Sequence, residues 1–376
     1  MSESTRLVSI EVRVYRQPID TPVVTSFGTM VDRPAVWVRV QDRSGAVGFG
    51  EVWCNFPAVG AEYRARLIHH VLAPMLMGQD STDPAALFQY LNDRTAVLAI
   101  QCGEPGPFAQ AIAGIDIAVW DLASRRAGQP LWRFLGGLSP RLAVYASGIN
   151  PDQPEATVQR KWDEGHRRFK LKVGFGAERD LQNLHNVRAL IGADVALCVD
   201  ANQAWSLDDA LAMAEVMAPF GLRWLEEPLR ADRLLAEWQT LAQATDIPLA
   251  AGENLIGRQA FDQALTCGAL AVVQPDVAKW GGISGCLPVA RAVLAKGKRY
   301  CPHYLGGGIG LLASAHLLAA VGGTGWLEID SNPNPLRDDW CGPLGRVTEG
   351  QVTLDSVPGL GVLPDWEKLE PIRVGI

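Results

Sequence analysis

The stretch RFKLKVGFGAERDLQNLHNVRALIGADVALCVDA, residues 168–201, decides the fold of this chain. It contains two short β-rich runs, RFKLKV (168–173) and VALCVDA (195–201), on either side of the helical pattern ERDLQNLHNVRALIG. A strand, a helix and a second strand in this order are typical of a parallel βαβ unit. The number of such units in the chain then predicts the architecture.

Runs of this kind recur after Pro140, with helical patterns between them. They are LAVYASG (142–148), RFKLKV (168–173), VALCVDA (195–201), RWLEEP (223–228), PLAAGE (248–253), AVVQPDV (271–277), RYCPHY (299–304) and GWLEID (325–330). The regular alternation favours a closed barrel of the (β/α)₈ type over a doubly wound open sheet.

The segments on either side of these repeats have a different pattern. The first 60 residues alternate apolar and polar residues in three runs, which predict an antiparallel meander with a turn at 43–45. Helical patterns follow at 61–77, 84–98 and 107–127. We therefore expect an α+β domain over 1–130, a barrel domain over 131–345, and a segment 346–376 that returns to the first domain and includes a possible strand, VTLDS.

Composition excludes several classes of protein. A net charge of −7 argues against a nucleic-acid-binding protein. Seven cysteines without CxxC spacing predict reduced thiols in a cytoplasmic protein, and the N-terminus lacks the apolar core of a signal peptide. The apolar stretch 306–323 is interrupted by Ser314 and His316, so we interpret it as a buried core helix and expect no membrane partner. Its GGGIG segment lacks the GxGxxG spacing of a dinucleotide loop.

Barrel enzymes carry their catalytic groups at the carboxyl ends of the strands. Three acids at these ends, Asp200, Glu226 and Glu253, lie one repeat apart on successive strands. Carboxylates that converge from neighbouring strands repel one another, and a divalent cation relieves the repulsion; all-oxygen ligands suit Mg²⁺. The alternative is that each acid separately caps a helix or forms an ion pair. Strand alternation predicts that Glu227 points away from Glu226.

The other strand ends supply candidates for proton transfer. Lys170 and Lys172 lie two residues apart and so share one face of a strand, where one ammonium group lowers the pKa of the other and favours a neutral base. Asp276 and His303 lie one repeat apart, and a carboxylate that binds one ring nitrogen makes the other nitrogen an acid/base candidate. Glu328 on the last strand either hydrogen-bonds a substrate carboxylate, if protonated, or forms an ion pair.

These motifs together resemble the enolase superfamily, specifically its mandelate racemase subgroup. The resemblance rests on the KxK pair, the aspartate that follows, WLEEP, GEN, and the D-x-x-K-x-GG run followed by a histidine, and it covers essentially the whole chain. It implies a modified (β/α)₇β barrel, an N-terminal capping domain that the C-terminal tail completes, and a mobile lid at TPVVTSFGT (21–29). Phe27, Met30, Arg33, Trp53 and Phe56 are then candidates for contact with the substrate, or for packing between cap and barrel.

The resemblance also implies roles for the site residues. Asp200, Glu226 and Glu253 would bind Mg²⁺, Lys172 and His303 would act on opposite faces of the substrate, and Lys170, Asp276 and Glu328 would support them. Because the sister muconate-lactonizing subgroup has a lysine at the position of Asp276, we expect neither a cycloisomerase nor a dipeptide epimerase. Lys279 is expected to support the site rather than act as a base.

The expected reaction is abstraction of the α-proton of a small-molecule carboxylate by a homo-oligomeric enzyme, followed by dehydration of a sugar acid or other hydroxy acid. Three different readings of the same residues stay open from the sequence. The first is a racemase that uses the same residues. The second is a catalytically silent family member that serves as a binding or structural protein, and the third is a Schiff-base aldolase that uses Lys170 or Lys172.

Overall fold

The computed structural model describes residues 3–25 and 28–376, and it begins with an antiparallel sheet. Its strands are β1 (Leu7–Thr25), β2 (Gly28–Asp42) and β3 (Val47–Val52), and the last strand of the chain, Arg373–Val374, pairs with β1. This confirms the predicted meander. The first two strands are longer than predicted, because they continue as a hairpin in which Thr25 pairs with Gly28.

Five helices follow the sheet. They are α1 (Gly60–Leu67), α2 (Ala73–Leu76), α3 (Pro84–Gln101), α4 (Pro105–Arg126) and α5 (Leu131–Phe134). The start of α3 is set by Asp83, whose carboxylate accepts a hydrogen bond from the Ala86 amide at 3.1 Å. Helix α4 lies directly on β3, and a Cβ atom at Gly50 would be only 2.0 Å from the Gly114 carbonyl oxygen. Only glycine permits so close an approach between the two backbones.

The barrel consists of eight parallel strands. They are β4 (Arg141–Ile149), β5 (Arg168–Lys172), β6 (Ala196–Asp200), β7 (Leu225–Glu226), β8 (Leu249–Ala251), β9 (Leu270–Val273), β10 (Arg299–Tyr300) and β11 (Trp326–Asp330). Their order is β10-β9-β8-β7-β6-β5-β4-β11. Each strand lies within a predicted run or overlaps it closely, so all eight predicted strands are confirmed.

Seven long helices alternate with these strands. They are α6 (Pro154–Asp163), α7 (Ala177–Ile191), α8 (Leu207–Met217), α9 (Leu235–Ala244), α10 (Arg258–Cys267), α11 (Gly282–Ala295) and α12 (Gly308–Val321). The last barrel strand is followed only by the four-residue helix α13 (Pro335–Asp338). The architecture is therefore the expected (β/α)₇β barrel with an α+β cap.

The C-terminal segment contacts both parts of the molecule. The predicted strand VTLDS corresponds to β12 (Gln351–Thr353), which pairs antiparallel with β4 of the barrel rather than with the cap. The end of the chain is β13 (Arg373–Val374), which pairs with β1 of the cap. The division of the chain at residues 130 and 345 remains a prediction.

Apolar side chains fill the barrel interior beneath the site and the space outside the strands. Tyr145, Cys198, Trp224 and their neighbours form the interior layer, and all seven cysteines are free thiols. Helix α12 is buried along almost its whole length, as predicted for the apolar stretch that contains it. Within the described part of the chain, no helix has the length and apolar character needed to cross a membrane.

Two buried acids of the cap fix it to the barrel. The Glu51 carboxylate accepts hydrogen bonds from the amides of Gly307 and Gly310, at 2.6 and 2.9 Å, at the start of α12. The Asp116 carboxylate binds the amide and hydroxyl of Ser284, at 2.9 and 2.6 Å, at the start of α11. Carboxylates are favoured at helix N-termini, where amide groups lack partners within the helix. These contacts hold the end of β3 at the mouth of the barrel.

Candidate active site

The site is formed where neighbouring strands end in register. Lys172 on β5 pairs with Asp200 on β6, and Asp200 pairs with Glu226 on β7. Glu226 pairs with Ala250 on β8, so Glu253 lies three residues beyond that register. Asp200 and Glu226 are thus at equivalent strand positions, whereas Glu253 reaches the site from the loop that follows its strand.

Lys170 forms the base of the site and is almost completely buried. Its Nζ atom lies 2.5 Å from Glu226 Oε1, 2.7 Å from Glu328 Oε1 and 3.7 Å from Asp200 Oδ2. Burial disfavours the ammonium form, but the carboxylates of Glu226 and Glu328 outweigh it and hold the pKa of Lys170 well above its usual range. Lys170 is therefore a fixed positive charge.

Lys172 stands above Lys170, nearer the mouth. Its Nζ atom lies 2.6 Å from Asp200 Oδ2 and 2.5 Å from Asn202 Oδ1. The expected lowering of its pKa is wrong for this structure. Burial lowers the pKa of Lys172 and so does Lys170, but the Asp200 carboxylate, with a smaller effect of Glu226, outweighs them and the pKa is raised. The sequence shows that Lys170 is a neighbour of Lys172. It does not show that the Asp200 carboxylate, which raises the pKa of Lys172, contacts it from the next strand.

His303 and Asp276 form the predicted dyad. The ring atom Nδ1 lies 2.7 Å from Asp276 Oδ2, and the amides of Ala278 and Lys279 donate to the other oxygen of Asp276 and fix its orientation. The Nε2 atom of His303 lies 2.6 Å from Glu253 Oε2. Burial disfavours the imidazolium, but Glu253 raises the pKa of His303 well above its usual range.

Glu328 is fully buried and both its oxygens have partners. One oxygen binds Lys170 Nζ and the Ser147 hydroxyl, and the other accepts from the Tyr304 amide at 3.1 Å. Burial raises the pKa of Glu328, but Lys170 and His303 hold it below its usual value. Glu328 therefore forms an ion pair with Lys170, one of its two expected roles, and its expected contact with a substrate carboxylate remains a prediction.

The site also contains polar side chains that could not be identified from the strand ends alone. Gln274 Nε2 donates to Glu226 Oε2 at 2.7 Å, and the Trp224 indole donates to the same oxygen at 3.0 Å. Both donors lie two residues from a predicted site residue, so alternation along the β7 and β9 segments is the signal that could have identified them.

Glu227 also joins the site, although alternation predicted that it would point away. Its backbone has a positive φ of 40°, which ends the regular strand after Glu226. Asn254 Nδ2 donates to both oxygens of Glu227, at 2.8 and 3.0 Å, and lies 3.2 Å from Glu253 Oε1. Burial, with Glu253 and Asp200 nearby, raises the pKa of Glu227 well above its usual range.

The charges at the mouth bear on whether a metal ion fits. Six acids face three lysines and one histidine; the acids are Asp200, Glu226, Glu227, Glu253, Asp276 and Glu328, and the bases are Lys170, Lys172, Lys279 and His303. Acidic side chains outnumber basic ones by two, which suits a divalent cation, and the carboxylate oxygens suit Mg²⁺. In the conformation described for residues 3–25 and 28–376, no three acidic, histidine or cysteine side chains converge at ligand distance. Lys170, Lys172 and His303 bind the carboxylates there instead.

Residues of the cap border the site. The Trp53 ring lies 4.8 Å from Lys279 Nζ, which also binds Asn254 Oδ1 at 2.8 Å. A Cβ atom at Gly28 would lie 2.7 Å from the Phe56 ring, and Met30 is buried within the same hairpin. That this hairpin is a mobile lid remains a prediction. Phe27, a predicted candidate for substrate contact, lies outside the described residues.

Arg33 is buried at the boundary between cap and barrel. Its Nη2 atom lies 2.5 Å from Asp330 Oδ2, two residues after Glu328 on β11, and Arg337 Nη1 lies 3.4 Å from the same oxygen. Arg33 therefore fixes the base of the hairpin of β1 and β2 to the barrel. Its expected contact with a substrate remains a prediction.

Comparison with known proteins places this geometry in a family. Residues 9–136 match the mandelate racemase/muconate lactonizing enzyme N-terminal domain, and residues 154–368 match the enolase C-terminal domain-like family. The chain belongs to the enolase superfamily, mandelate racemase subgroup. This confirms the resemblance that the sequence motifs carried.

Members of this superfamily with known structures match nearly the whole chain. A mandelate racemase/muconate lactonizing enzyme from Bordetella bronchiseptica RB50 is 57% identical, with a TM-score of 0.92 over 98% of this chain and 99% of that one. A racemase from Streptomyces coelicolor A3(2) with bound magnesium is 29% identical, with a TM-score of 0.87 over 98% of this chain and 100% of that one.

Relatives of known activity are also enzymes. The 3,6-anhydro-alpha-L-galactonate cycloisomerase of Streptomyces coelicolor is 32% identical over 97% of this chain and 99% of its own length. Further relatives are named as sugar acid dehydratases and as racemases. This protein is accordingly an enzyme of the mandelate racemase type. The expectation that Asp276 argues against cycloisomerases and dipeptide epimerases remains a prediction, although a relative named as a cycloisomerase matches 97% of this chain.

Proposed function

We propose that this enzyme abstracts the α-proton of a sugar acid and then eliminates the β-hydroxyl group, which gives a 2-keto-3-deoxy acid. One observation carries the proposal: Lys172 and the His303–Asp276 dyad end strands on opposite sides of the barrel, β5 and β10, above the buried charge of Lys170. Proton-transfer groups on two sides of one mouth suit a reaction in which protons leave and enter from different faces.

Asp200, Glu226 and Glu253, with Glu227 beside them, are the residues that would hold Mg²⁺. When bound, the ion would withdraw electrons from the substrate carboxylate and stabilise negative charge as it develops there. The excess of acidic side chains at the mouth supports this assignment, as does the relative with bound magnesium.

The chain's own residues supply the remaining functions. Lys170 places a fixed positive charge beneath the site, where it stabilises the charge that develops on a bound carboxylate. Glu328 and Glu226 hold the Lys170 ammonium in position from two sides. Trp53 of the cap lies over Lys279 at the edge of the mouth, where it limits the access of water.

Proton transfer is assigned to Lys172 and His303, which the carboxylates of Asp200 and Glu253 keep protonated in this structure. The group that acts as the base must first lose its own proton, which would become easier if Asp200 and Glu253 bound Mg²⁺ instead. One takes the α-proton, with the choice set by the configuration of the substrate at that carbon. In dehydration, His303 gives a proton to the departing β-oxygen, so that the Cα–H and Cβ–O bonds break, water leaves and an enol remains. Asp276 positions the His303 ring throughout, because it binds Nδ1 and leaves Nε2 toward the mouth.

A racemase would use the same residues and return the proton to the α-carbon. A cyclic β-ether would open by the same elimination, and the relative named as a cycloisomerase favours including such a substrate in the test. A Schiff-base aldolase gains no support from the geometry. Its lysine must be free to react with a carbonyl, whereas Lys170 and Lys172 each bind carboxylates at 2.5–2.6 Å.

The test is proton NMR in D₂O with Mg²⁺ and a panel of aldonic, aldaric and 3,6-anhydro sugar acids. New 2-keto-3-deoxy signals would support the proposal, and deuterium in an otherwise unchanged or epimeric acid would indicate the racemase. The Lys172→Ala and His303→Asn variants should each lose about 10²–10⁴-fold in rate, and each should retain exchange from the opposite face. Lys296→Ala, at an exposed position, is the control.

Two outcomes would contradict the proposal. Activity that survives a chelator unchanged would remove the metal ion from the mechanism, and with it the role of the three acids. Exchange that survives in both the Lys172 and His303 variants at the rate of the control would show that other groups transfer the proton.

A further inference from the structure

The barrel end opposite the active site carries a cluster of arginines. Arg141, Arg168 and Arg299 are the first residues of β4, β5 and β10, and Arg223 lies two residues before β7. These ends of the strands face away from the catalytic mouth, because parallel strands all run in one direction. In a protein with a net charge of −7, such a concentration of positive charge needs a physical explanation.

Two of these arginines stack on one tryptophan. The guanidinium carbon of Arg168 lies 5.1 Å from the centre of the Trp326 ring, and that of Arg299 lies 5.0 Å from it. Trp326 precedes the inward-facing Glu328 by two residues, as Arg168 precedes Lys170. Because side chains alternate along a strand, Trp326 and Arg168 also point toward the barrel axis, below the apolar interior layer.

Neither of these arginines has a carboxylate partner. In the described ranges, no acidic oxygen lies within 4.0 Å of Arg141, Arg168 or Arg299. Arg168 Nη1 donates to the Gly350 carbonyl oxygen at 3.0 Å, whereas no hydrogen bond of the Arg299 side chain occurs among the described residues. Both side chains are partly buried, and burial, together with repulsion by the Arg299 guanidinium, lowers the pKa of Arg168.

A cleft of about 710 Å³ opens beside this stack. Trp326 lines it together with Arg141, and the backbone of Gly322–Gly325 forms one of its sides. Trp326 thus belongs to both the cleft and the arginine stack. Planar guanidinium groups bind phosphate and carboxylate oxygens in pairs, so partly buried arginines without acidic partners suit an anion.

We propose that the amino-terminal end of the barrel is a second binding site, which takes a compact dianion of the phosphate or dicarboxylate class. Arg168 and Arg299, both stacked on Trp326, supply positive charge beside the cleft, and Arg141 lines it. The site is separated from the catalytic mouth by the length of the barrel, and it does not depend on the proposed reaction.

The test uses the full-length protein with Mg²⁺ and follows the thermal midpoint as phosphate or succinate is added at constant ionic strength. The wild-type protein should show a saturable rise in midpoint with at least one of the two anions. Arg299→Met should weaken the apparent affinity about tenfold or more, because one charge-assisted contact is lost. The fold of this variant should persist, since the Arg299 side chain gives up no hydrogen bond.

Arg223→Met is the matched control, because Arg223 is an exposed arginine at the same end of the barrel but outside the stack. A response in this variant that equals the wild-type response, with a loss in Arg299→Met, supports the proposal; the anion that acts identifies the class. Equal responses in the wild type and Arg299→Met would overturn it, since the anion would then bind elsewhere. Absence of a response to either anion would overturn it as well.

Discussion

The contact between Glu51 and helix α12 predicts how stability depends on pH. Burial raises the pKa of Glu51 to about 7 from an ordinary value of 4.5, although the amides of Gly310 and Gly307 oppose this effect. The folded protein then binds the proton more tightly than the unfolded chain does. The contribution of Glu51 is full below about pH 4.5, falls as the pH rises, and is lost above about pH 7.

The size of the effect follows from the difference in pKa. A difference of about 2.5 units corresponds to about 3 kcal/mol, since each unit is about 1.4 kcal/mol. The entropy of unfolding is about 2.1 cal/mol/K per residue, or roughly 0.8 kcal/mol/K for this chain. Part of this contribution is already lost at pH 5, so about 2.5 kcal/mol changes between pH 5 and pH 8. The wild-type melting temperature should therefore fall by about 3 °C over this range on account of Glu51 alone.

The perturbation is Glu51→Gln, which keeps the shape of the side chain and removes its ionisation. The variant should have a constant penalty of about 1–2 kcal/mol, because one of the α12 amides loses its acceptor. We expect its melting temperature, measured by calorimetry in steps from pH 5 to pH 8, to change by about 3 °C less than that of the wild type. Glu178→Gln, at an exposed position on α7, should follow the wild-type profile.

A result in which Glu51→Gln and the wild type give parallel profiles would refute the reasoning. It would show that Glu51 is ionised over the whole range, and that the two amides and the helix N-terminus outweigh the cost of burial. The cap would then be fixed to the barrel by a charged group rather than by a neutral one.

Three further predictions concern the contacts of the cap. Burial raises the pKa of Asp116 to about 7, so Asp116→Asn should likewise reduce the loss of stability from pH 4 to pH 7 in the same calorimetric series. Gly50→Ala should lower the free energy of unfolding in urea by about 1–3 kcal/mol, since its Cβ atom would clash with α4; an unchanged value would contradict the close approach. Arg33→Met and Asp330→Asn should each cost about 3 kcal/mol, and the double variant at least 1 kcal/mol less than their sum, because the buried pair is shared; additivity would show that the two residues act independently.

Much of the fold was predictable because its signals are local. Each barrel strand is a short apolar run followed by a helical pattern, and periodicity over such windows identifies the elements. The positions of Asp200, Glu226, His303 and Glu328 followed from the same pattern, because parallel strands bring their carboxyl ends to one face. The residue types alone then indicated acid/base chemistry with a divalent cation.

Other features depend on the backbone at single positions or on distant partners. The positive φ of Glu227 turns it into the site against the alternation of its strand. The pairing of β12 with β4 rather than with the cap depends on which exposed strand edge its segment reaches. Neither the orientation of Glu227 nor the pairing of β12 can be predicted from a short segment of the sequence.

The amino-acid sequence by itself determined the elements of this protein, their order and the kinds of groups at the site, because local periodicity and composition encode them. Only the tertiary structure decided which of those groups are charged and with which partners. The Asp200 carboxylate raises the pKa of Lys172, and the Lys170 ammonium group lowers the pKa of Glu328. Arg168 and Arg299 both stack on Trp326 and have no carboxylate partner among the described residues. Ionisation follows from burial and from the charges a few ångströms away, and these are set by residues that are distant in the chain.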